Sequence, residues 1–166
     1  MSSRTGQVVL GDTLLDEVRA AVAEIMKDRD LAGKENVIEK VAMAAVKYAI
    51  LKVDVLSDVA FDIKTSVSLE GDSGPYLLYI GARIASILNK ATDVSEPNHI
   101  PEAIHQSEKA LLLALAQFEE VTWAAAEDLN PSGIAQYLFR LAQLFNTFYH
   151  DCPVLQAEAE VRAFRL

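Results

Sequence analysis

The sequence predicts a mainly all-α fold, a helical bundle from about residue 71 onward preceded by two helices and a short extended segment. Three observations lead to it. Apolar residues recur at helical spacing along most of the chain. Helix-start signals, an Asp, Ser or Pro just ahead of an apolar stretch, punctuate it. Neither a Gly-rich phosphate loop nor a strand–helix–strand alternation occurs.

Taken in order, Val8-Val9-Leu10 reads as a short strand or extended connector. Asp12 caps a helix of roughly residues 13–28, with Leu14, Leu15, Val18, Val22, Ile25 and Met26 at helical spacing. A second helix covers about residues 34–51, its apolar face formed by Val37, Ile38, Val41, Ala42, Ala45, Tyr48 and Ala49. Residues 52–67 alternate weakly, with Val53, Val55, Val59, Phe61, Ile63 and Val67 set between charged or small residues, which suggests one or two short strands or extended chain. Gly71, Asp72 or Ser73 as N-cap, and Pro75 then open a helix of about residues 73–91. At about 100° per residue, Leu77, Ile80, Gly81, Ile84, Ile87, Leu88 and Ala91 form a core-facing stripe. A loop over residues 92–100 follows, and Pro101 starts a helix carrying Ile104, Leu111, Leu112, Leu115 and Ala116. Another runs from Phe118 to near Asn130, with Val121, Trp123, Ala124 and Ala125 as its apolar residues. Pro131 opens the longest helix, about residues 132–150, apolar around much of its girth and so expected at the centre of the bundle. Residues 158–166 begin an amphipathic helix with Val161, Phe164 and Leu166 inward.

Composition narrows the function classes. The chain has 166 residues, 51% hydrophobic and 23% charged, enough for a real core and ordinary for a soluble globular protein. No apolar run reaches a membrane span, no apolar signal core follows Met1, and the single cysteine, Cys152, excludes an internal disulfide. These features predict a cytoplasmic protein with no membrane partner. A formal net charge of −9 argues against a general nucleic-acid binder, which normally carries a basic face. After Lys90 the only Lys or Arg residues are Lys109, Arg140, Arg162 and Arg165.

One ridge carries a chemical hypothesis. Beside the core stripe of the 73–91 helix, Tyr76, Tyr79, Arg83 and Lys90 line up along a narrow edge. Two phenols and two cations together suggest base stacking plus phosphate contact. The alternative is that the tyrosines cap the core and the cations are solvated. No metal site is expected: a structural zinc wants four paired ligands, and the three histidines, His99, His105 and His150, are scattered. Cys152 reads as a small buried hydrophobe at a helix end. Asn146, among Phe145, Phe148 and Tyr149, needs a hydrogen-bond partner and reads as structural.

Several ordered motifs add a resemblance. The segment SLEGDSGPYLLYIGARIASILNKA, from Ser68, resembles the signature S-F/L-E-G-x-T/S-x-P-Y-L-Q-Y-x-x-A-R-x-x-S-I of arginyl-tRNA synthetases. It matches at Ser68, Glu70, Gly71, Ser73, Pro75, Tyr76, Leu77, Tyr79, Ala82, Arg83, Ser86 and Ile87, while Leu78 stands where the family usually has glutamine. Met1-Ser2-Ser3-Arg4-Thr5-Gly6-Gln7-Val8-Val9 resembles the KMSKS-type loop of the same family, without the leading lysine. Ala45-Val46-Lys47-Tyr48 and Phe61-Asp62 resemble further family segments. So does the stretch from Leu113 to Leu155, where Glu119 replaces a usual proline.

The resemblance implies a division into residues 1–70, the end of a class I catalytic domain, and residues 71–166, a DALR-type anticodon-binding bundle truncated at its C-terminus. It implies a protein that binds the anticodon stem-loop of tRNA(Arg), not DNA, through Tyr76, Tyr79, Arg83 and Lys90. Ser2, Ser3 and Arg4 would remain from the loop that closes over the ATP phosphates, whose developing charge cations offset. ATP would serve the complete arginine–tRNA ligase, and this chain, lacking the rest of the catalytic domain, is expected to be inactive alone and to take no cofactor. The other reading is a synthetase-derived helical interaction or oligomerisation module without RNA binding, which the negative charge favours.

Overall fold

The computed structural model describes residues 11–29, 32–91, 100–101 and 103–166, and among them it contains eight α-helices and no strand. The connector of residues 8–10, the N-terminal loop and all but one residue of the 92–100 loop lie outside the described residues.

The first two helices, α1 (Gly11–Ile25) and α2 (Lys34–Leu51), meet along the faces their apolar periodicity marks out. Val18 and Val22 of α1 are buried against Ala42 and Ala45 of α2, with Val67 closing the cluster. Small residues on α2 let the two backbones come close. At the edge of the contact the Arg19 guanidinium grips Glu39, with Nε 2.6 Å from the carboxylate, and holds that carboxyl below its ordinary value.

Residues 52–67 depart from the extended chain expected of them. They form turns and one short helix, α3 (Ile63–Ser66). Side-chain capping explains the difference: the Asp62 carboxylate accepts the Thr65 N–H at 2.8 Å, and Asp54 accepts the Leu56 N–H at 2.9 Å. The alternating valines share no buried face, since Val55 and Val59 are exposed.

The next helix, α4 (Gly74–Lys90), starts where the sequence predicts. Gly71 takes a left-handed φ of 78°, and the Ser73 hydroxyl accepts the Tyr76 N–H at 3.2 Å while donating to the Ser68 carbonyl at 2.5 Å. Gly74 presses on α2: a Cβ built there falls 2.2 Å from the Ala44 carbonyl oxygen. The expected stripe is only half right. Ile80 and Ile87 are buried, but Ile84 and Leu88 are exposed and Gly81 meets open space, because α4 has neighbours on α2 and α7 rather than around one broad face.

The remaining helices are α5 (Gln106–Ala116), α6 (Phe118–Glu127), α7 (Ser132–Asp151) and α8 (Ala159–Arg165). The start expected at Pro101 is corrected to Gln106. A capping box decides it: His105 Nδ1 accepts the Ser107 N–H and the Glu108 carboxylate accepts the His105 N–H at 2.6 Å. Trp123 points outward with 68% exposure, and α6 buries no residue fully. The central place expected for α7 is borne out, since it contacts α2, α4, α5 and α6. Cys152 is buried as expected, clustered with Ile87, Phe148 and Val154.

Two polar ties hold these parts together. The buried Tyr48 hydroxyl donates to Asp72 Oδ1 at 2.5 Å and lies 3.2 Å from the Ala135 carbonyl, so one phenol links α2, the start of α4 and α7. Burial first, then the hydrogen bond to Asp72 and its charge, push its ionisation far above the ordinary tyrosine value. At the other end Arg165 Nε donates to Glu108 at 2.6 Å and Nη1 to the Pro153 carbonyl at 2.7 Å, fastening α8 to α5. Burial pushes the Glu108 carboxyl up, but Arg165 and the His105 N–H outweigh it, leaving its pKa below the ordinary value.

Candidate nucleic-acid interface

The 3.6-residue repeat of α4 puts Tyr79, Arg83 and Lys90 on one ridge. On α7 the same repeat brings Asn146, Tyr149 and His150 to the side that faces it. Between the two helices and the chain after Cys152 opens a groove of about 570 Å³, lined by Tyr79, Arg83, Lys90, Tyr149, His150 and Pro153 among others.

Arg83 is its centrepiece. The guanidinium carbon lies 4.6 Å from the centroid of the Tyr79 ring and 4.9 Å from that of Tyr149. Its Nη1 donates to Asn146 Oδ1 at 2.6 Å, and its Nη2 donates to the Tyr79 hydroxyl. Tyr149 in turn stacks on Phe145, centroids 6.2 Å apart, so the aromatic surface continues toward the second core cluster. A planar cation flanked by phenol rings beside an open groove is a surface that accepts an unstacked base, since every base offers a π-face.

The sequence-predicted residues separate here. Tyr79, Arg83 and Lys90 come together in the groove. Tyr76 sits one turn earlier with its ring edge-on to Phe139, centroids 6.0 Å apart, and half-buried; burial raises its pKa while the nearby Arg83 charge pulls the other way. Lys47 is exposed and Tyr48 is core. Ser2, Ser3 and Arg4 lie outside the described residues. Asn146 finds its expected hydrogen-bond partner in another side chain, Arg83, but it is exposed beside the groove. Tyr149 and His150 were missed as site residues. Their one legible signal was the i, i+3, i+4 spacing from Asn146, which is informative only once α7 is known to face α4.

A family model described as the DALR anticodon binding domain matches residues 77–166, which include every helix from most of α4 to α8. The chain belongs to the DALR anticodon-binding domain family. Across 94% of its length this DALR protein is 41% identical to an arginine–tRNA ligase of Streptomyces coelicolor, covering 27% of that relative. It is 37% identical, over its whole length, to an arginine–tRNA ligase of Bacteroides fragilis, covering 30% of it. Its fold matches the solved arginyl-tRNA synthetase of Thermus thermophilus with a TM-score of 0.89 and 34% identity, covering 96% of this chain and 28% of that one. The DALR chain thus spans less than a third of the relatives it resembles. Among its described residues no helix is long and apolar enough to cross a membrane.

Proposed function

We propose that this chain is the tRNA-binding, anticodon-facing part of an arginine–tRNA ligase whose complete form joins arginine to tRNA(Arg) using ATP. The observation that carries the reading is the Tyr79–Arg83–Tyr149 cluster opening on a groove inside the segment that the DALR family model covers. In that groove an unpaired base of the anticodon loop stacks on the exposed Tyr79, while Arg83 and Lys90 supply positive charge in a chain of net charge −9. Placed cations in one cleft focus the field where a broad basic face is missing. Tyr76 extends the same ridge, its ring partly taken up by Phe139.

The division into residues 1–70, the end of a catalytic domain, and 71–166, the anticodon-binding bundle, belongs to the same proposal. Two separate apolar clusters support it, one of α1, α2 and Val67 and one of Ile87, Phe148, Cys152 and Val154. Ser2, Ser3 and Arg4 would close on the ATP phosphates in the complete enzyme, and a cytoplasmic place accords with work in translation. The chain by itself is expected to activate no arginine.

The test is binding of the 166-residue chain to an RNA hairpin with the anticodon stem-loop sequence of tRNA(Arg). Tyr79→Ala should weaken binding by about 1–3 kcal/mol, the worth of one lost stack. Because Tyr79 is 43% exposed, its melting temperature should stay near that of the parent, whereas Tyr76→Ala should lower it by disturbing the Phe139 contact. One observation favours a protein-interaction module: Trp123 and Leu129 stand exposed at 68% and 81% beside the acidic Glu119, Glu120 and Glu127. Absence of hairpin binding by the parent chain would give the function to that reading.

A further inference from the structure

Arg83 is held more tightly than phosphate neutralisation requires. A cation that only offsets phosphate charge works as a mobile point charge, a task for which lysine serves as well. Here two of the guanidinium's N–H donors are committed within the protein, one to Asn146 and one to Tyr79, and its carbon lies 4.6 and 4.9 Å from the ring centroids of Tyr79 and Tyr149. Two cation–ring contacts and a two-point hydrogen bond together restrain the group, and a restrained group aims the donors that remain. Asn146 is the only one of these partners that holds the guanidinium by an edge contact from the opposite helix. Facing a cation, it must present its carbonyl oxygen.

Resting on the RNA reading above, we propose that Asn146 is a positioning residue. It fixes the Arg83 guanidinium between Tyr79 and Tyr149 so that Arg83 reads the hydrogen-bonding edge of an unstacked base, not the phosphate backbone. A guanidinium is suited to this because its planar fork matches paired acceptors, and a directed contact discriminates between bases whereas a phosphate contact does not.

Two variants separate the parts of the claim. Asn146→Asp keeps an acceptor oxygen facing Arg83, and Asn146→Leu removes it at similar size. The first measurement needs no RNA: NMR of the ¹⁵N-labelled guanidinium in the full chain should show hindered rotation for Arg83 in the parent and in Asn146→Asp, and fast rotation in Asn146→Leu. The second uses the tRNA(Arg) anticodon hairpin and hairpins with single loop bases replaced. Asn146→Leu should lose about three- to tenfold of the preference for the parent loop, with the slope of affinity against salt unchanged, and Asn146→Asp should keep the preference. Free rotation of Arg83 in the parent overturns the positioning role. Unchanged base preference in Asn146→Leu, or a salt slope shallower by about one charge, overturns the base-edge role. A parent chain that binds no hairpin overturns the RNA reading and the base-edge role together; hindered rotation in that chain, released by Asn146→Leu, still sustains Asn146 as the residue that positions Arg83.

Discussion

Gly74→Ala tests the close approach of α4 to α2, the contact that sets how α4 leaves α2 and so where the Tyr79–Arg83 ridge points. An ideal Cβ on Gly74 would stand 2.2 Å from the Ala44 carbonyl oxygen, 2.5 Å from its carbon and 3.0 Å from Tyr48 Cβ. Carbon–oxygen contacts settle at about 3.3–3.6 Å, so the methyl requires α2 and α4 to part by about 1 Å. Two of the three opposing atoms are backbone, and no rotamer change relieves them. Forced overpacking of this kind costs about 1–3 kcal/mol, against a gain of at most about 0.5–1 kcal/mol from replacing glycine in a helix. A net loss of about 1–2 kcal/mol, the middle of the resulting range, should lower the melting temperature by about 2–8 °C, at about 2–4 °C per kcal/mol for a chain of this size. Gly81→Ala is the control within the same helix: its Cβ would meet nothing within 4 Å, so stability should rise or hold. Thermal unfolding followed by circular dichroism reads both. A Gly74→Ala protein as stable as the Gly81→Ala protein would show that α2 and α4 are not in this contact.

Tyr48→Phe removes the hydroxyl that links α2, Asp72 and α7; it should cost about 0.5–1.5 kcal/mol in urea unfolding, the net worth of one hydrogen bond, because Asp72 keeps Lys52 and the Ala135 carbonyl, inside α7, keeps its helical N–H donor. Glu108→Gln should cost about 2–4 kcal/mol, since it leaves the Arg165 guanidinium, 14% exposed, without its carboxylate while the Pro153 carbonyl still accepts from it. The folded pKa of Glu108 lies below the ordinary glutamate value, so its contribution is fully present above that value and is lost as pH falls through the lowered one. Acid unfolding of the parent should therefore be steeper in that window than that of Glu108→Gln.

Much of the fold was legible because its signals are local. The bounds of α2, the Ser73 cap and Pro75 at the start of α4, and the central α7 all follow from apolar spacing and capping chemistry within one turn of the chain. Errors fell where two local signals competed. The valines of residues 52–67 alternate, but Asp54 and Asp62 offer the backbone turns and a cap instead. Pro101 is a common helix opener, yet the His105–Glu108 capping box satisfies more of the orphan N–H groups four residues later.

By itself the sequence determined that the chain is helical, that Tyr76, Tyr79, Arg83 and Lys90 share one ridge, and which family it belongs to, since each of these is written in spacing and motif along a single stretch. Only the tertiary structure decided which of those residues line the groove. Whether a tyrosine is a stacking surface or a core residue depends on what stands opposite, and that is a residue sixty or more positions away: Phe139 covers Tyr76, while Asn146 and Tyr149 meet Arg83 and leave Tyr79 open to the groove. Helical periodicity fixes the face a side chain occupies but carries no information about the partner helix, so the pairing of α4 with α7, and with it the fixed guanidinium of Arg83, exists only in the folded chain.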